Sequence, residues 1–173
     1  MESPSNPLLR CVDLTEIADL GHKHGLLTIV DNTLAAPFNQ TPLTAGFGLV
    51  IHSATKYLNG PSDADAGFVV GTPDFIDRIR PAATHFGGRL DARTCERVER
   101  GMKTHALRME RHYANALALA TFLASHPAVT TVHYPGLQGH RDHAVASRQI
   151  GVRCRIIVRD GVMPHSAADP ASV

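Results

Sequence analysis

The stretch Leu49–Asp63 constrains this chain more than any other. Its apolar run, Leu49 to Ile51, gives way within a few residues to Ser53, Thr55 and Lys56. A short apolar run bounded by polar residues reads as a buried strand. Such a strand delivers two hydroxyls and one amine to its exposed end, which is where α/β folds keep their chemistry.

A second run, Leu26-Leu-Thr-Ile-Val30, ends in the same way, at Asp31-Asn32-Thr33. If the two runs are neighbouring parallel strands, Asp31, Thr33, Ser53, Thr55 and Lys56 converge at one edge. An amine facing a carboxylate, with hydroxyls between, suits a cofactor held as a Schiff base whose ring nitrogen needs an anionic partner.

Between these runs and around them the punctuation is regular. Asp13-Leu-Thr-Glu16 reads as a capping box, followed by a helical face of Leu14, Ile17, Ala18 and Gly21 and a stop at Gly25. Helix, glycine, strand is a crossover unit of a mainly parallel sheet. Residues Ala35 to Pro42 read as loop, with a brief turn from Pro42 to Ala45. Asp65 to Gly71 reads as another strand, and Asp74 to Arg80 as a short helix closed by Pro81. Gly87-Gly88 breaks the chain, and a helical region starts near Asp91, interrupted at Gly101. From Thr104, the spacing of Ala106, Met109, Tyr113, Ala116, Leu117, Ala120 and Leu123 predicts a long helix with one apolar face, ended by Pro127. Val129 to Tyr134 follows as a strand.

Charge and composition exclude several classes. Between Arg89 and Arg111 the arginines and Lys103 alternate with Asp91, Glu96, Glu99 and Glu110, which reads as a solvated, ion-paired face rather than a nucleic-acid surface. No run approaches the roughly 20 apolar residues that span a bilayer. The first residues carry charge and proline instead of a secretory core, so a cytoplasmic location is expected. Cys11, Cys95 and Cys154 form no C-x-x-C pair and read as free thiols. His140-Arg-Asp-His143 offers two imidazoles and a carboxylate, but with no fourth ligand at a zinc-like spacing it reads as a polar surface loop. With 173 residues, 43% hydrophobic, the chain is long enough for a globular core.

Several pieces carry a family resemblance in order: Glu2-Ser-Pro-Ser-Asn-Pro7, Val30-Asp-Asn-Thr33, His52-Ser-Ala-Thr-Lys-Tyr57, Gly101-Met-Lys-Thr104 and Val132-His-Tyr-Pro-Gly-Leu137. Together they resemble the pyridoxal-phosphate enzymes of cysteine and methionine metabolism, among them cystathionine γ-synthase, the cystathionine lyases, methionine γ-lyase and O-acylhomoserine sulfhydrylase. The resemblance runs from Glu2 to about Gln149. It implies an α/β fold, the C-terminal part of a type I aminotransferase-like domain plus the start of a small α+β domain. The implied division is a partial cofactor domain at 1–104, a linking helix at 105–127, the start of the small domain at 128–150 and a divergent tail at 151–173.

The resemblance also implies roles. Lys56 bonds to pyridoxal phosphate through its amine and then shuttles protons. Asp31 keeps the ring nitrogen protonated, Asn6 bonds the phenolic oxygen, Ser53 and Thr55 donate to the phosphate, and Thr33 lies against the ring or its aspartate. The implied reaction is elimination or replacement at the γ or β carbon of cystathionine, methionine or an acylated homoserine, and the family is homotetrameric. Two departures stand beside the lysine: Gly48 replaces a usual acidic residue, and Pro61 a usual histidine or glutamine.

The implied family is longer than this chain at both ends. Met1 falls well inside the family's cofactor domain, and the phosphate loop, the ring-stacking tyrosine and the carboxylate-gripping arginine have no counterpart here. Two other readings therefore stay open: a truncated remnant without catalysis, and a non-catalytic module that pairs with a full-length relative. After Ile150 the likeness stops, and codons for Gly151-Val-Arg-Cys-Arg155, read one base later, can encode Gly-Phe-Gly-Ala-Val. A coding-frame change near Ile150 is the expectation, and the nucleotide sequence decides it.

Overall fold

The computed structural model describes residues 1–150 and 157–160. The proposed frame change falls at 151–156, outside the described residues.

The first helix, α1 (Leu14–Lys23), begins where its sequence predicts. Asp13 accepts the Thr15 and Glu16 N–H groups at 3.0 and 3.2 Å, satisfying donors that a helix start leaves open. Its other oxygen takes Arg148 at 3.0 Å, so the cap also ties α1 to the far end of the chain. At the C-terminus Gly25 adopts φ +63°, and the Leu26 N–H returns to the Gly21 carbonyl. That closure draws Leu26 out of the sheet. Strand β1 is only Ile29–Asp31, and Leu26 and Leu27 remain exposed.

Strand β2 (Leu49–Ser53) pairs in parallel with β1, with Val30 opposite Val50 and Asp31 opposite Ile51. Between them lie a four-residue helix, α2 (Ala36–Asn39), and a 3₁₀ turn, Pro42–Ala45. Leu14 and Ala18 of α1 pack on Val30, Phe47 and Val50. Burying Val30 and Val50 contributes about 1.5–3 kcal/mol each.

The sheet is mixed, which corrects the expectation of a mainly parallel one. Strand β3 (Gly67–Gly71) runs antiparallel to β2, so the order is β1-β2-β3 with one pairing of each kind. A parallel partner needs a crossover, usually helical. Here residues 54–66 are instead folded back on β2, with the Ala54 and Thr55 N–H groups both bonded to the Ala66 carbonyl. The chain therefore returns along the same edge.

Three helices follow. Helix α3 (Pro73–His85) contains Pro81 rather than ending at it. The ring removes one intrahelical bond, to the Asp77 carbonyl, but Asp77 is exposed and none of α3 is fully buried, so water can satisfy that group. Helix α4 (Ala92–Met102) is capped by Asp91 and contains Gly101, so the interruption falls after Met102, at Lys103 and Thr104. Helix α5 (His105–Ala124) buries Met109, Tyr113 and Ala120, whereas Leu107, Leu117, Leu119 and Phe122 are exposed. The predicted apolar face is thus only partly covered.

Strand β4 (Val129–His133) pairs antiparallel with β5 (Ile157–Asp160), and α6 (His143–Gln149) lies between them in sequence. A core of Leu9, Cys11, Leu34, Ala35, Ala120, Tyr134, Ala146 and Ile150 joins the N-terminal loop to α5 and α6. Asp142, expected on a polar surface loop, is buried instead. Arg10 donates to it through Nε at 2.5 Å and Nη2 at 3.0 Å, and the Cys11 N–H adds a third bond at 3.0 Å. Among the described residues no helix is long and apolar enough to cross a membrane, and no cluster of metal-ligating side chains is present.

Candidate active site

The ends of β1 and β2 are tied together before any ligand is considered. Asp31 Oδ1 accepts the Thr33 N–H at 2.9 Å, and the Thr33 hydroxyl oxygen accepts the Ser53 N–H at 2.7 Å. The Asn32 N–H continues the ladder to the Ile51 carbonyl at 2.9 Å. Thr33 is therefore a strand-end tie beside Asp31, and β2 hands its chain to the next segment at a fixed place.

That segment, Ala54–Leu58, is a π-helical turn. Lys56 interrupts it with φ −85° and ψ −114°, a kink that leaves the lysine exposed while Ala54 and Leu58 are buried among Ala64 and Val98. Turns of this kind recur at functional sites.

A cavity of about 590 Å³ opens beside the kink. Asn6, Asp31, Thr33, Ser53 and Lys56 all line it. Five of the six residues singled out in the sequence thus line the same cavity. Thr55 does not line it: its hydroxyl donates to the Ala66 carbonyl at 3.3 Å and accepts the Ala66 N–H at 3.0 Å. Asn6 comes from a loop pinned by several bonds, including Ser5 N–H to the Arg10 carbonyl at 2.9 Å and Gln40 Nε2 to the Ser3 carbonyl at 2.9 Å.

Glu2, Tyr57, Gly60, Ser62, Arg108 and His112 complete much of the lining, and sequence reasoning did not place them there. Arg108 was grouped with a solvated helix face, yet it is half-buried against the turn that follows Lys56. A four-residue spacing puts Arg108 and His112 on one side of α5, a signal that identifies the pair once either is located. His112 also meets Tyr57 edge-on, with ring centroids 5.9 Å apart.

Comparisons with known proteins identify the family. The profile of the family described as Cys/Met metabolism PLP-dependent enzyme matches residues 1–158. This chain belongs to that family. Chloroplastic cystathionine gamma-synthase 1 of Arabidopsis thaliana is 42% identical over 149 residues, covering 86% of this chain and 26% of the relative. L-methionine gamma-lyase of Pseudomonas putida is 44% identical over 151 residues, covering 86% of this chain and 38% of the relative. Among solved structures, the cystathionine gamma-lyase from Lactobacillus plantarum complexed with L-serine superimposes with a TM-score of 0.90 at 41% identity, over 93% of this chain and 43% of that one. The chain therefore spans well under half the length of these relatives.

Do the residues of this member of the Cys/Met metabolism PLP-dependent enzymes suit the cofactor its family uses? The Lys56 amine, the Ser53 hydroxyl and the Asn6 side-chain amide have no hydrogen-bond or ion-pair partner among the described residues, and all three border the cavity. With the Asp31 carboxylate they offer an amine for a carbonyl, an anion for a ring nitrogen, and donors for a phenolate and a phosphate. The donor set fits. Nearby, burial holds the His52 imidazole below its ordinary 6.5 although Asp31 pulls the other way. His52 is therefore neutral at pH 7, and it leaves the Asp31 charge to whatever cation enters the cavity.

Proposed function

We propose that this chain contributes Lys56, Asp31, Asn6 and Ser53 to a pyridoxal-phosphate site serving elimination or replacement at the γ or β carbon of a sulfur amino acid, such as cystathionine or methionine, or of an acylated homoserine. The observation that carries the reading is that Lys56 and Asp31 line one cavity, in a chain of this family. The fold assignment that goes with it is a partial cofactor domain at 1–104, the linking helix at 105–127 and the start of a small domain at 128–150. A homotetramer and a cytoplasmic setting complete the proposal; the free thiols Cys11 and Cys95 suit a reducing compartment.

When bound, pyridoxal phosphate supplies an electron sink for negative charge at the substrate Cα. The protein's part is positioning and proton movement. Lys56 would hold the cofactor through Nζ, and as a free base at the kink the same Nζ would carry a proton between the substrate's Cα and Cβ. Asp31, fixed by the Thr33 N–H, holds a proton on the ring nitrogen by its charge. Asn6 would orient the ring through its phenolic oxygen, and Ser53 would donate to the phosphate. For Thr55 to donate there as well, its hydroxyl hydrogen must leave the Ala66 carbonyl, the longer of its two contacts.

The test is an absorbance spectrum of the purified chain with pyridoxal phosphate, beside Lys56→Ala. The wild type is expected to develop the visible band of lysine-bound cofactor and the variant to lack it. Identical spectra would remove Lys56 from the role.

A further inference from the structure

One side chain holds the turn that carries Lys56 from outside. Past Lys56 the helical turn ends, and the carbonyls of Tyr57, Leu58 and Asn59 have no continuing helix to receive them. Arg108 of α5 supplies the donors instead: Nη1 to the Tyr57 carbonyl at 2.8 Å, and Nη2 to Leu58 at 3.2 Å and Asn59 at 3.4 Å. Nη2 also reaches the Gly101 carbonyl at the end of α4 at 2.9 Å, and Nε donates to the Thr104 hydroxyl at 3.0 Å. His105 Nδ1 adds a contact to the Tyr57 carbonyl at 3.1 Å.

Two glycines make room for this arrangement. Gly60 sits at φ +91°, and a Cβ there would lie 2.5 Å from Arg108 Cζ and Nη1. At Gly101 a Cβ would overlap the Asn59 carbonyl oxygen. The guanidinium thus bridges α4, α5 and the Lys56 turn at a point where no side chain can stand between them.

Among the described residues, Arg108 and Lys56 are the two Lys/Arg cations that line the cavity. A guanidinium has five N–H donors, and all three Arg108 nitrogens are engaged with backbone carbonyls or Thr104. It has little left for a ligand anion. We infer that Arg108 is a positioning residue for Lys56: by clamping the carbonyls of 57–59 it sets the direction from which the lysine amine enters the cavity. This rests on the proposed cofactor role of Lys56.

The experiment uses the whole chain as wild type, Arg108→Met and Arg108→Lys, with two readouts. One is amide hydrogen exchange without cofactor, at Asn59 and Gly60, whose N–H groups bond to Ala54 and Lys56 carbonyls. The other is the fraction of Lys56 that borohydride locks onto added pyridoxal phosphate, read by peptide mass. In Arg108→Met, exchange at Asn59 and Gly60 should rise about tenfold, and trapping should fall about tenfold, with β2 amides unchanged, as expected for losing charge-assisted bonds. Arg108→Lys should lie between, because an ammonium cannot fork across three carbonyls. Unchanged exchange and trapping in Arg108→Met would overturn the inference, and so would exchange raised equally in β2 and α1, which marks general loosening. Full rescue by lysine would overturn the forked clamp. If wild-type Lys56 traps no cofactor, the cofactor reading fails by itself, and amide exchange still decides whether Arg108 holds the turn.

Discussion

At the scale of single residues, the buried carboxylate of Asp142 is the clearest case of a group whose value depends on its partners. Burial alone would raise its pKa, but the Arg10 hydrogen bonds and the Cys11 N–H hold it below the ordinary 3.8. The sign follows directly. A depressed folded-state pKa contributes stability above the unfolded value, and that contribution is lost as pH falls from about 3.8 through the folded value. Asp142→Ala should lower stability by about 2 kcal/mol in urea melts at pH 7, since it strands Arg10 and one buried N–H. The loss should shrink as pH falls below about 3.8 toward the folded value; a loss that stays the same over that descent would mean that packing, not charge, is at stake. Cys11 beside it is inert for the matching reason: burial pushes its thiol up to about 12.

At the scale of elements, the π-helical turn between β2 and the 59–66 segment does most to build the site. It turns Lys56 out while burying Ala54 and Leu58, and it survives because α4 and α5 close on it from one side. Gly101 is the tightest point of that closure. Gly101→Ala would drive a methyl group into the Asn59 carbonyl and should destabilise the chain by about 3 kcal/mol. A change below about 0.5 kcal/mol in thermal or urea melts would show that α4 can slide away at little cost. In the sequence this glycine read as a helix interruption, and Arg108 as one more charge on a solvated face. Both readings used local composition, and local composition does not reveal which neighbour approaches. The Asp13 cap and the Gly25 stop of α1 were legible, because their partners lie within a few residues.

At the scale of the whole molecule, His52, His105 and His140 share a direction. Burial is the largest cause for each, and it holds all three below 6.5. Each is carried neutral in the folded chain. A base with a depressed folded pKa loses no stability above its unfolded value, and loses it as pH falls from about 6.5 toward the folded value. Urea midpoints should therefore begin to fall between pH 7 and 5, well before Asp142 titrates. A flat profile over that range would mean that these imidazoles meet water freely in solution. Substituting His52 with Phe should remove part of the slope.

The strand ends and the hydroxyl and amine cluster of β2 followed from apolar runs that stop at polar residues, a signal of period and composition; the parallel pairing of β1 with β2, a condition in the sequence, is met in the structure. The family was legible in another way, by the resemblance of matching pieces that are short and contiguous. The antiparallel return of β3, the continuation of α3 through Pro81, the burial of Asp142 and the grip of Arg108 on the Lys56 turn did not. Three of them depend on a partner distant in sequence, Ala66, Arg10 and Tyr57 in turn, and the continuation of α3 depends on its lying open to water. Sequence by itself determined which reactive groups the chain offers, because a residue's functional group is local. Only the tertiary structure decided which of them face one cavity and which are spent holding it together, because hydrogen-bond partners and burial are set by how separate elements pack.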